Sequence, residues 1–88
     1  METVWIFNGD QASLPAAVFS SRAKAEDWIN SNRLSGILTE YPLDTSALDW
    51  AIQNGYFTPK GDRHKQSRFI QSFTSGSQAH FHYSFDDI

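Results

Sequence analysis

His80 and His82 stand two positions apart in the run Ala79-His80-Phe81-His82-Tyr83-Ser84-Phe85. Residues two apart on a β-strand point to the same face, so both imidazoles project from one side. Two imidazoles on one face can begin a zinc or nickel site. A third ligand must then come from His64, Asp86 or a carboxylate on a neighbouring strand. The simpler expectation is a pair of half-exposed histidines on the polar face of a terminal strand, because a useful zinc site needs at least three converging ligands.

Other chemistry is harder to find. The chain has no cysteine, which excludes cysteine nucleophiles, thiol redox chemistry and every thiolate metal site. It has no nucleophile elbow, no phosphate-binding glycine loop and no paired-histidine zinc-protease motif. Glu40, Asp44, Asp49 and the histidines are the available acids and bases. None of their spacings sets two such groups against each other in the way acid–base catalysis requires. Asp44 and Asp49 have a simpler role near a helix N-terminus, where negative charge favours the dipole. The expectation is a protein that is not an enzyme and carries no cofactor.

Strands and helices must position these residues. Val4-Trp5-Ile6-Phe7 is β-branched and aromatic throughout, a first strand with two apolar faces that suits the middle of a sheet. Asn8-Gly9-Asp10 is a turn, and residues 15–19 form a returning strand. Ser20-Ser21 offers an N-cap for a helix to about Asn32, with Ala25, Trp28 and Ile29 on one stripe. Residues 37–41 form a third strand, closed by Pro42. Asp44-Thr45-Ser46 opens a second helix, with Ser46 and Asp49 at capping-box spacing and Leu48, Ala51 and Ile52 facing inward. Gly55 is placed for a left-handed C-cap. A polar loop over 60–66 leads to a short helix with Phe69, Ile70 and Phe73 on one face. Residues 79–85 form a fourth strand, with Phe81, Tyr83 and Phe85 opposite His80, His82 and Ser84. The order ββαβα(α)β gives an α+β domain: a small, mostly antiparallel or mixed four-stranded sheet with helices packed on one face. Eighty-eight residues make one domain, residues 1–88.

Trp50 does not fit the second helix's stripe. At 100° per residue it lies far around the helix from Leu48 and Ile52. An exposed Trp is costly, and Trp is the residue most often found at binding hot spots. Either it anchors a partner, or the third helix or the 60–66 loop folds over it. Tyr41, Tyr56 and Phe57 are candidates to join it. Asp44 and Asp49 are candidates to pair with a partner's basic groups.

Charge is distributed unevenly. Lys60, Arg63, Lys65 and Arg68 face only Asp62, a local charge of +3 that leaves −6 for the rest of a chain whose net charge is −3. Basic residues beside aromatics can hold phosphates and stack bases, although the overall acidity disfavours a dedicated nucleic-acid binder. From residue 25 to 59 five acids meet one base, Arg33. That stretch suits a basic protein partner. The N-terminus does not read as a signal peptide, and no apolar run approaches the roughly 18 residues of a membrane span. The expected setting is the cytoplasm, with no membrane partner.

Several blocks carry a resemblance: Val4-Trp5-Ile6-Phe7-Asn8-Gly9, Ala25-Glu26-Asp27-Trp28-Ile29, Leu38-Thr39-Glu40-Tyr41-Pro42-Leu43-Asp44, Asp49-Trp50-Ala51-Ile52 and His80-Phe81-His82-Tyr83. The chain resembles a family of small, single-domain bacterial proteins of unknown function. The resemblance implies a standalone bacterial cytoplasmic protein and transfers no activity. In size and acidity the chain is also similar to immunity and inhibitor proteins. The leading expectation is a non-enzymatic module that binds and occludes another protein, of the immunity or inhibitor type, through Trp50, Asp49, Asp44, Tyr41 and Tyr56. The alternatives are a metal or small-ligand site at His80 and His82, and nucleic-acid binding through Lys60, Arg63, Lys65 and Arg68.

Overall fold

The computed structural model describes residues 2–85. They divide into two compact units, residues 2–43 with 78–85, and residues 44–77.

The first unit is a four-stranded sheet with one helix. Its elements are β1 (Thr3–Gly9), β2 (Ala17–Phe19), α1 (Arg22–Asn32), β3 (Gly36–Pro42) and β4 (His80–Tyr83). The spatial order is β2-β1-β3-β4, and every pair is antiparallel. The fold class is α+β, as the sequence indicates, and the sheet is purely antiparallel rather than mixed. The apolar first strand takes an inner position.

Register assigns the faces. Trp5 pairs with Phe19 and Glu40, Phe7 with Ala17 and Leu38, and Leu38 with Phe81. Side chains alternate along a strand, so Trp5, Phe7, Phe19, Leu38, Phe81 and Tyr83 share one face. The buried cluster on that face joins Phe7 and Leu38 to Ala25 and Ile29 of α1. Trp28 closes it, edge-on to Phe7 with centroids 5.6 Å apart and tilted against Phe19 at 5.5 Å. The opposite face carries Val4, Ile6, Val18, Ile37, Thr39, Tyr41, His80 and His82, with Val18 62% exposed.

Local signals place the ends of α1. The Ser21 hydroxyl accepts the Lys24 N–H at 3.2 Å. At the other end Arg33 is left-handed, at φ 54°. The Leu34 N–H reaches the Ile29 carbonyl at 3.0 Å and the Arg33 N–H reaches Asn30 at 3.3 Å. This is a Schellman motif with arginine where glycine is usual. Gly36 follows at a close approach: a Cβ there would meet the Asn8 carbonyl oxygen, with Gly9 Cα and Phe7 Cζ both at 2.8 Å. The fourth strand is shorter than its alternation suggests. It ends at Tyr83, because the Phe85 N–H turns away to the Ser35 hydroxyl at 2.9 Å.

The second unit holds α2 (Ala47–Gln53), a 3₁₀ turn (Asp62–Lys65) and α3 (Ser67–Ser72). The Ser46 hydroxyl caps α2 by accepting the Asp49 N–H at 3.0 Å. Gly55 is left-handed, at φ 77°. The Tyr56 N–H then returns to the Ala51 carbonyl at 2.8 Å, which is the glycine ending the sequence predicts.

Two apolar residues fall outside their expected places. Ile52 is 37% exposed, because the buried line runs through Leu48 and Ala51 and leaves Ile52 at its edge. Ile70 is 44% exposed, while its neighbours Phe69 and Phe73 turn to Phe57, with ring centroids 5.7 and 5.1 Å away. The 60–66 segment is also more ordered than a polar loop. His64 is half-buried in it, 4.5 Å from the Phe69 ring and 5.2 Å from Phe57.

Candidate functional site

Around α2, Trp50 and Tyr56 come together, and Asp49 precedes Trp50 in the helix. Leu48 and Ala51 face inward, and Trp50 sits off that line. Its ring lies against Tyr56, centroids 5.3 Å apart at 37°. The left-handed Gly55 folds the chain back so that Tyr56 returns toward the helix. Trp50 is half-buried and Tyr56 is 56% exposed. Asp49 is exposed in the first turn of α2. Asp44, also exposed, adopts a left-handed conformation (φ 61°) ahead of the Ser46 cap. Tyr41 lies elsewhere: it is on β3 in the first unit, on the sheet face away from α1. Phe57 does not join Trp50 but belongs to the Phe69–Phe73 cluster.

Lys60, Arg63, Lys65 and Arg68 are all exposed. His64 organises their segment. Its Nδ1 accepts the Lys60 N–H at 2.7 Å. A neutral imidazole accepts at only one nitrogen. Arg63 Nε, 3.2 Å from Nε2, is therefore a close approach rather than a second bond. Arg63, Gln66, Arg68, Phe69 and Ser72 line an open cavity of about 270 Å³. Two guanidinium groups, an amide and a hydroxyl beside an aromatic ring suit an anion.

His80 and His82 share a face of β4, with ring centroids 5.6 Å apart at 75°. His64 belongs to the second unit, and Asp86 lies outside the described residues. Among the described residues no group of three or more histidines and carboxylates converges.

A family model described as a domain of unknown function, DUF7710, matches residues 4–87. The chain belongs to this family. Its description assigns no activity. No match was found among curated proteins or solved structures. The DUF7710 match takes in both compact units and every candidate residue named above. No helix among the described residues is long and apolar enough to cross a membrane.

Two groups in this DUF7710 chain have almost no local sequence signal. One is Gln78, only 3% exposed, whose side-chain amide donates to the Glu40 carbonyl at 3.1 Å. The other is a set that joins α1 to β4. The Arg22 guanidinium lies 3.5 Å over the Phe81 ring and 3.4 Å from Glu26, and Glu26 accepts the Tyr83 hydroxyl at 2.6 Å. The only local signal was the spacing of Arg22 and Glu26, four apart on a helix.

Proposed function

We propose that this chain is a non-enzymatic protein-binding module that acts by occluding its partner, in the manner of an immunity or inhibitor protein. The observation that carries the reading is the Trp50–Tyr56 pair beside exposed Asp49 and off the buried line of α2. Trp and Tyr dominate binding hot spots because they bury large rigid areas while keeping a polar tip for a partner. The acidic stretch around them would steer a basic partner. A bacterial cytoplasm is the setting the reading assumes. The test is affinity capture from the native host with the wild-type chain, Trp50→Ala and Tyr56→Ala. The expected result is one dominant partner that Trp50→Ala loses while its melting temperature stays near wild type. Undiminished capture by Trp50→Ala would overturn the reading.

The cavity at Arg63 and Arg68 favours a second reading, in which these residues with Lys60 and Lys65 hold the phosphates of a single-stranded nucleic acid beside Phe69. Such binding falls steeply with salt. A filter-binding assay with no retention at low salt would dispose of it.

A further inference from the structure

We infer that His80 and His82 form a two-imidazole chelate for a late first-row divalent cation, with copper(II) or nickel(II) the best fit. This site is separate from the Trp50 surface and does not depend on it.

Gln78 anchors the chain ahead of the pair. This residue is almost fully buried, and its side chain is tied to the Glu40 carbonyl. The next residue is also held, since the Ala79 carbonyl accepts the Glu40 N–H at 2.9 Å. The backbone leading into β4 is therefore tied to β3 at two successive residues, both through Glu40. His80 Nδ1 stands 2.8 Å from the Gln78 carbonyl oxygen. A carbonyl oxygen can only accept, so Nδ1 carries a hydrogen, and in the neutral ring the lone pair is then on Nε2. This is the arrangement seen around metal-bound histidines, where the second nitrogen donates to a backbone carbonyl or carboxylate that sets tautomer and ring orientation.

His82 supplies the second nitrogen. It is exposed, its ring has no hydrogen-bond partner among the described residues, and it stands 5.6 Å from His80 centroid to centroid. Metal–imidazole bonds of about 2.0–2.1 Å place two ligating nitrogens roughly 3 Å apart. With His80 held at the Gln78 carbonyl, rotation of the exposed His82 side chain has to close the remaining distance. Across the strand pair the neighbours are Thr39, opposite His80, and Ile37, opposite His82. Neither is charged, so among the described residues no carboxylate directly across the strand pair competes for the imidazoles and no cation there repels the metal.

The ligand count selects the metal. Two imidazoles do not make the closed four-ligand set of structural zinc. They do suit copper(II) and nickel(II), which take nitrogen ligands in tetragonal geometry and accept water in the remaining positions. Copper(II) lies at the top of the affinity order for such donors, above both nickel(II) and zinc(II).

The test titrates the full chain with copper(II), nickel(II), zinc(II) or magnesium(II) salts, followed by calorimetry and histidine NMR. Electron paramagnetic resonance reads the copper(II) ligands. The inference expects one bound copper(II) per chain, hyperfine structure from two nitrogens, weaker binding of nickel(II) and zinc(II), and none of magnesium(II). His80→Gln and His82→Gln should each lower copper(II) affinity about tenfold or more, and His64→Gln should leave it unchanged. No binding at up to about 100 μM metal, or binding that survives His82→Gln, would overturn it. Circular dichroism of each variant separates a lost ligand from a lost fold.

Discussion

The Tyr83 hydroxyl donates to Glu26 Oε2 at 2.6 Å, joining residues 57 positions apart. Glu26 also meets Arg22, one helical turn earlier, and Arg22 covers the Phe81 ring. Two residues of α1 thus hold two residues on the same face of β4. This matters because β4 comes from the far end of the chain and is an outer strand, paired on one side only.

Replacing Tyr83 by Phe should remove this bond and cost about 1 kcal/mol at neutral pH, the usual net value for a partly exposed hydrogen bond. Denaturant melts would measure it. The same variant has a pH signature. Burial raises the Tyr83 hydroxyl above its ordinary value of 10.0, and the Glu26 hydrogen bond and charge raise it further, while Arg22 lowers it. The folded state therefore holds this proton more tightly than the unfolded state. Its contribution is complete below the unfolded value and is lost as pH rises through the folded one. The wild type should lose stability above about pH 10, and Tyr83→Phe should lose less over the same range.

Gly36→Ala should be among the most damaging single changes in the first unit. The new Cβ would collide with the Asn8 carbonyl, the Gly9 backbone and the Phe7 ring. Two of these obstacles are backbone and cannot rotate away. Overpacking of this kind costs about 1–3 kcal/mol, and here the β1–β3 pairing at Gly9 and Gly36 should open with it. Amide exchange at Asp10, whose N–H bonds to the Ser35 carbonyl at 3.0 Å, would report the opening.

Arg33→Gly should stabilise the chain. Arg33 adopts the left-handed conformation at the end of α1, where glycine carries no Cβ penalty. The expected gain is about 0.5–1 kcal/mol. A melting temperature at or below wild type would show that the arginine side chain contributes something that this conformational argument omits.

Phe57→Ala should loosen the second unit. Its ring lies 5.2 Å from His64, 5.7 Å from Phe69 and 5.1 Å from Phe73. Truncating a partly buried aromatic should cost about 2–3 kcal/mol, below the figure for a fully buried one. Faster proteolysis at the exposed arginines Arg63 and Arg68 would be the readout.

Much of the fold was legible because its signals are local. Ser21 and Ser46 cap helices by accepting an N–H three residues on, and Gly55 ends α2 with a positive φ; each needs only its neighbours in sequence. Alternation in 79–85 put Phe81 and Tyr83 opposite His80 and His82 for the same reason. Arg33 was not legible, since the left-handed ending was made by the chain reversal into Leu34 rather than by a residue that prefers it. Ile52 and Ile70 were read inward because they are apolar and correctly spaced. Periodicity identifies a stripe but not how wide a neighbour covers it.

The candidate sites divide along the same line. Local pattern sets His80 and His82 on one face, takes Trp50 off the stripe of α2 and gathers positive charge at residues 60–68. Those follow from strand period, helix period and composition. Packing in three dimensions sets Tyr56 rather than Phe57 against Trp50 and puts Tyr41 in the other unit. It alone locked His80 through the Gln78 carbonyl and brought Glu26 to Tyr83. Contacts of that kind join segments that share no local pattern. They are set by how each unit packs its apolar side chains, and the polar groups then pair with whatever that packing brings within reach.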